Sequence, residues 1–205
     1  RQANPSFGET FLVTGLGLIG LLTCELLISQ GIRVLGCDFD SNKCSKAKSL
    51  GVDVLHLDGD SDLVSWCRNK TNNIGIDGCI ITASTSSSDP INIAAEVCRK
   101  RARIIMVGST GMELRRDLFY KKEIIFRVSC SYGPGRYDST YEIEGYDYPL
   151  EYVRWTLNRN MKSYVSLIDN GKININSLID NNFAELETEI STEALSEVNP
   201  VTDQD

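Results

Sequence analysis

Residues 11–20 read Phe11-Leu12-Val13-Thr14-Gly15-Leu16-Gly17-Leu18-Ile19-Gly20. Phe11 to Thr14 form a short apolar run of strand type, and a helical apolar pattern starts at Leu18. The three glycines between them have the G-x-G-x-x-G spacing, and each has its own physical task. Gly15 allows the tight turn out of the strand. Gly17 lacks the Cβ that would stand where a pyrophosphate approaches the backbone. Gly20 lets helix and strand pack closely. The free N–H groups around Leu18 and Ile19, and the positive end of the helix dipole, then point at the phosphates.

A second β-rich run, Arg33 to Cys37, ends at Asp38, 18 residues beyond Gly20. A carboxylate there is placed to accept hydrogen bonds from an adenosine ribose diol. The spacing therefore predicts a bound dinucleotide, and Asp38 predicts NAD over NADP, because a 2′-phosphate would meet its charge. The following Phe39, Asp40 and Ser41 supply no arginine, and Lys43 alone could help a phosphate.

The alternation continues along the chain. The first ten residues read as an entering segment cut from something longer. A helix from Leu18 to about Gln30 offers Leu21, Leu22, Leu26 and Ile28 for burial, and Gly31 stops it. Ser41 opens a second helix that Gly51 ends, and Val52 to Leu55 is a third strand. Ser61 is placed to cap a helix holding Leu63, Val64, Trp66 and Cys67. Gly78 to Thr82 is a continuous apolar strand of the kind buried on both faces. Asp89 and Pro90 start a helix running to about Arg101, and Arg103–Val107 and Glu123–Val128 are strands five and six. This order predicts an α/β fold: a doubly wound six-stranded parallel sheet (Rossmann fold), with right-handed crossovers. Ligands of such sheets lie at the carboxyl ends of the strands, so Gly15–Gly20, Asp38, Thr82, Ala83, Val107 and Gly108 should share one rim. A last helix is predicted over 149–170, with Leu150, Val153, Leu157, Met161, Tyr164 and Ile168 as its apolar face and Arg154, Arg159 and Lys162 elsewhere.

Composition bounds the rest. The chain has 205 residues, 41% of them hydrophobic, enough for one core. Residues 1–180 are read as a single domain and 181–205 as an acidic tail, disordered in isolation. From Ala184 onward there are seven acids and no Lys or Arg; the 28 acids less these seven leave 21 against 21 basic residues. The body is electrically balanced, which leaves no footprint for nucleic acid. No apolar run reaches bilayer length, so no membrane span is expected. The seven cysteines (24, 37, 44, 67, 79, 98, 130) include no C-x-x-C pair. They predict buried thiols in a reducing cytoplasm, not a disulfide framework or a zinc cluster.

Taken together, the blocks Gly15–Gly20, Gly36-Cys-Asp-Phe-Asp-Ser-Asn-Lys43 and Ile104-Ile-Met-Val-Gly108 resemble the coenzyme-binding domain of the medium-chain, zinc-alcohol-dehydrogenase-like superfamily. A narrower block, Ser131-Tyr-Gly-Pro-Gly-Arg-Tyr-Asp138 followed by Asp147-Tyr-Pro149 and Tyr152-Val-Arg-Trp-Thr156, is similar to bacterial two-domain oxidoreductases of surface-polysaccharide synthesis. The resemblance implies an NAD-dependent oxidoreductase acting on a sugar-type or nucleotide-sugar alcohol. It also implies an amino-terminal catalytic domain, carrying any zinc ligands and proton relay, that is absent here. No catalytic residue is therefore transferred, and the chain is expected to be inactive alone. The superfamily pattern further implies a homodimer formed through residues 123–128, and Lys43 beside the adenosine or its ribose.

Two side chains carry alternatives. The only histidine, His56, reads as structural rather than as a general base. Arg136, in Gly-Pro-Gly-Arg, either contacts a substrate carboxylate or phosphate or forms an internal salt bridge that shapes the loop. A regulatory nucleotide-sensing module is the competing function, since it would share the glycine turn and the acid. A methyltransferase-like fold is disfavoured by six strands with the full glycine motif.

Overall fold

The computed structural model of the chain describes residues 1–178. The acidic tail assigned to 181–205 lies outside the described residues. Six strands form one sheet: β1 Thr10–Thr14, β2 Arg33–Asp38, β3 Asp53–His56, β4 Ile76–Ile81, β5 Cys98–Met106 and β6 Ile125–Val128. All pairings are parallel and the order is β3-β2-β1-β4-β5-β6, the doubly wound α/β topology expected. Between the strands run α1 Leu18–Ser29, α2 Ser41–Ser49, α3 Leu63–Lys70, α4 Asp89–Val97 and α5 Arg116–Lys122. After β6 come a short α6 Ser139–Glu142 and the longer α7 Leu157–Asp169, and a 3-10 turn lies at Ile175–Leu178.

The two central strands carry the core. Phe11, Leu12 and Val13 of β1 and Ile76, Cys79 and Ile81 of β4 are inaccessible to solvent. Helices cover both faces, so successive side chains are buried irrespective of the face they occupy. Each such aliphatic side chain contributes on the order of 1.5–3 kcal/mol. Cys37, Cys67, Cys79 and Cys98 sit in this cluster as small apolar groups. Burial pushes the Cys24, Cys67 and Cys98 thiols up to about 12, so the reactive thiolate is suppressed. All seven cysteines are free, and Cys130 alone is exposed. A thiol reagent at neutral pH should therefore titrate one cysteine in the native chain and seven in guanidinium. A second fast thiol in the native state would mean that the core opens.

Several boundaries differ from the sequence expectation. The helix predicted to reach Arg101 stops at Val97, because the Lys122 ammonium donates to the carbonyls of Ala95, Glu96 and Cys98 at 2.7–2.8 Å and closes its end. Arg99 then pairs with Asp77 at 2.6 Å, drawing Cys98–Arg101 into β5 with a register shift between Ile76 and Gly78. Lys122 belongs to α5, a helix the sequence reading passed over. The cap of α3 is Asp62, which accepts from Ser65 N–H at 3.0 Å, not Ser61.

The helix predicted over 149–170 is shorter, beginning only at Leu157. Pro149 to Trp155 turn back instead: Tyr152 and Val153 donate to Pro149 O, and the Arg159 guanidinium binds the carbonyls of Tyr148 and Val153 and, at 3.1 Å, Asp147. The predicted apolar stripe is likewise displaced. Leu150, Leu157 and Met161 are exposed, and Asn160, Ser163, Tyr164, Leu167 and Ile168 form the half-buried face. Arg154 lies over the Trp155 ring at 4.0 Å.

Candidate functional site

The strand order reverses between β1 and β4, and crevices for ligands form at such switch points. The rim there begins at Gly15, whose φ of +89° suits a residue without Cβ. Its N–H donates to Cys37 O at 2.9 Å, tying the turn to β2. A Cβ on Gly15 would lie 2.7 Å from Ala83 N, and one on Gly108 would lie 2.0 Å from Ala83 O. Ala83 is thus wedged between two glycines, and the ends of β1, β4 and β5 meet backbone against backbone. Val107 and Gly108 both donate to Ile81 O at 2.9 Å, which seats the β5 end on β4. The Thr82 hydroxyl lies 2.5 Å from Gly15 O and 3.0 Å from Thr14 O and donates there, so it braces the glycine turn.

Helix α1 starts directly from this turn. Gly17 is its cap residue and no side chain caps it, which leaves its first N–H groups to the space in front. A Cβ on Gly17 would meet nothing within 4 Å, whereas one on Gly20 would lie 2.0 Å from Gly15 O. The two glycines therefore do different things. Gly20 is demanded by the fold itself, and Gly17 faces open space that an anion can enter. Leu18 and Ile19 flank that space and are 61% and 58% exposed despite being apolar.

Asp38, at the end of β2, has both oxygens oriented by the backbone. Oδ2 accepts from Leu16 N–H at 2.6 Å and Oδ1 from Asp40 N–H at 2.9 Å. A carboxylate has about four acceptor positions, so about two remain for a diol. Leu16 is the functional residue that sequence reasoning missed. Its N–H aims the acid, and its buried side chain occupies room that Gly36 leaves, since a Cβ there would approach Leu16 to 3.1 Å. The unspecified position between the first two glycines was the only signal for it.

Around Asp38, the Phe39 ring is 79% exposed. Asp40 caps α2, accepting from Asn42 and Lys43 N–H, and these bonds hold its carboxyl below the usual range. The Lys43 ammonium stands 3.9 Å from Asp40, half exposed. His56 sits at the end of β3 with Nε2 3.0 Å from Phe39 O, bracing the same turn. Arg136 forms an internal ion pair with Glu142 at 2.6 Å and lies over the Tyr137 ring at 4.4 Å.

The cradle fits a dinucleotide by shape and chemistry: an open, uncapped helix end for the pyrophosphate and an oriented acid for the ribose. It does not fit a metal. Among the described residues no group of three His, Cys, Asp or Glu side chains could hold one. Nor is any helix among them long and apolar enough to cross a membrane.

Comparison with known proteins follows the same line. Residues 19–144, more than half the chain, match the family described as zinc-binding dehydrogenase. The (R,R)-butanediol dehydrogenase of Neisseria gonorrhoeae is 31% identical over 108 residues, 52% of this chain and 30% of that protein. The D-guloside 3-dehydrogenase of Escherichia coli is 26% identical over 187 residues, 88% of this chain and 49% of that protein. The chain thus spans half or less of the length of these relatives. In fold it superposes with a TM-score of 0.67 on a short chain alcohol dehydrogenase from E. coli solved with NADH, at 21% identity over 97% of this chain and 51% of that one. The 2R,3R-butanediol dehydrogenase of Bacillus subtilis gives the same TM-score at 19% identity, over 87% of this chain and 44% of that one. The chain therefore belongs to the zinc-binding dehydrogenase family, as a coenzyme-binding domain of the medium-chain dehydrogenase type.

Proposed function

We propose that the chain is the NAD-binding part of an oxidoreductase acting on a sugar-type alcohol, within the synthesis of a surface polysaccharide. The observation that carries the cofactor choice is Asp38, held by Leu16 and Asp40 with acceptor positions left for a ribose diol. The name of the E. coli D-guloside 3-dehydrogenase, similar over 88% of this chain, supports a sugar hydroxyl as the site of oxidation. When bound, the cofactor supplies the hydride chemistry. The residues here bind and orient it: the α1 terminus takes the pyrophosphate, Asp38 the ribose, and Ala83, Val107 and Gly108 form the wall leading to the nicotinamide. Seven unpaired thiols suit a reducing compartment such as the cytoplasm.

Calorimetric titration of the 205-residue chain with NAD tests this directly. Saturable one-site binding is the expected result, with no turnover of alcohols by this chain alone. Absence of NAD binding in a folded chain would refute the assignment.

The same reading includes a two-fold dimer. Among the described residues strand β6 is an unpaired edge, with Ile125 and Val128 48% and 51% exposed, and pairing with its own copy would cover it. Sedimentation should give a concentration-dependent dimer that Ile125→Lys dissociates. A monomer at every concentration would contradict it.

A further inference from the structure

Residues 131–158, which follow β6, are densely organised. Tyr141 and Tyr148 stack with centroids 5.8 Å apart at 17°, and Tyr132 lies 6.3 Å from Tyr141. A Cβ on Gly135 would come within 2.4 Å of the Tyr141 ring, so the glycine is what admits this packing. Two ion pairs fix the walls, Arg136 to Glu142 at 2.6 Å and Arg159 to Asp147 at 3.1 Å. Between them lies an open hollow of about 460 Å³ whose lining includes Tyr132, Tyr141, Glu142, Asp147, Leu157 and Asn158. That volume falls within the range of small-molecule clefts, about 300–1,000 Å³.

The chemistry of the lining narrows the ligand. Each acid already faces an arginine, so the hollow has no unbalanced charge with which to attract a cation. What it retains is hydrogen-bonding capacity in several directions. Glu142 and Asp147 keep acceptor positions beyond those their partners fill. The Tyr141 hydroxyl accepts from Asn158 N–H at 3.3 Å and keeps its own proton to donate. The Asn158 side-chain amide has no protein partner among the described residues. Leu157 and the tyrosine edges supply apolar surface beside these groups. A neutral ring carrying several hydroxyls answers all of these at once: it donates to the two acids, accepts from Asn158 and Tyr141, and lays its C–H surface on the apolar wall.

We propose that this hollow is a carbohydrate subsite, with Asn158, Tyr141, Glu142 and Asp147 as its hydroxyl-recognising residues. Its role as the seat of the enzyme's substrate rests on the function proposed above; the binding itself is measured separately. Saturation-transfer NMR on the 205-residue chain tests it, with the methyl glycosides of glucose, galactose and mannose as probes and cyclohexanol and tetramethylammonium as controls. The ring protons of at least one glycoside should be saturated and both controls silent. Asn158→Ala and Tyr141→Phe should each weaken glycoside binding about five- to tenfold, with NAD affinity unchanged. Asn158 holds nothing through its side chain among the described residues; Tyr141→Phe keeps the ring stack and gives up only the long 3.3 Å bond from Asn158 N–H, so thermal unfolding of both variants checks that the loop stays intact. Equal saturation of cyclohexanol, saturation of tetramethylammonium, a glycoside signal that neither variant alters, or no glycoside signal from a chain that binds NAD would each overturn the subsite. Glycoside binding by a chain that fails to bind NAD would uphold it and overturn the cofactor reading instead.

Discussion

The wild-type chain should bind NAD about a hundredfold more tightly than NADP, and Asp38→Ala should bring the two within a few-fold of each other. Two charge-assisted hydrogen bonds from the ribose diol to Asp38 are worth roughly 1.5–3 kcal/mol each in a dry site. A 2′-phosphate forfeits them and places like charge against the acid. Asp40 adds a second negative charge two residues on, and the Lys43 ammonium already stands 3.9 Å from it. About 3 kcal/mol of discrimination, or a hundredfold, is the net expectation after exposure weakens each contact. Asp38 also orients the turn through Leu16 and Asp40 N–H. Asp38→Asn is therefore the milder variant: it keeps the side-chain volume and one of these two acceptors, lowers NAD affinity and relieves the repulsion. Calorimetry with both cofactors on the three proteins measures all of this. Equal affinities in the wild type, or a ratio that Asp38→Ala leaves unchanged, would show that the acid does not face the ribose.

The second large effect separates fold from ligand within one motif. Gly20→Ala should destabilise the chain by about 3 kcal/mol, lowering Tm by roughly 10 °C. The added methyl would fall 2.0 Å from Gly15 O, a backbone atom that moves only if α1 lifts from the sheet. Gly17→Ala should instead change stability by about 1 kcal/mol or less, the difference between glycine and alanine at a helix cap. Its methyl meets nothing within 4 Å, and φ is −67°. Yet that methyl stands in the space the pyrophosphate needs, so NAD affinity should fall about a hundredfold. Thermal unfolding and calorimetry on both variants give the comparison. If Gly17→Ala kept full NAD affinity, the phosphates would have to bind elsewhere.

Much of this protein was legible without coordinates, because the deciding signals are local. Strand periodicity, the spacing of three glycines and an acid at the end of β2 depend on neighbours within about 20 residues. Such signals yielded the parallel α/β sheet and the approximate positions of its six strands. Contacts distant in sequence were not legible. The end of α4 is set by Lys122, more than 20 residues downstream, whose ammonium takes three carbonyls that would otherwise continue the helix. The start of α7 is set by Arg159 reaching back to Tyr148 and Val153, so an apparently continuous apolar stripe from Leu150 is broken at Thr156. Arg136 had two chemically equal readings in the sequence, and the ion-pair partner that the internal one requires, Glu142, became visible only in the fold. Leu16 carried no signal of its own, since any residue has an N–H, and its role arises when β1 and β2 bring that N–H to Asp38. Local pattern thus suffices where the backbone's own preferences govern, and fails where a long charged side chain from another element supplies the missing hydrogen bonds.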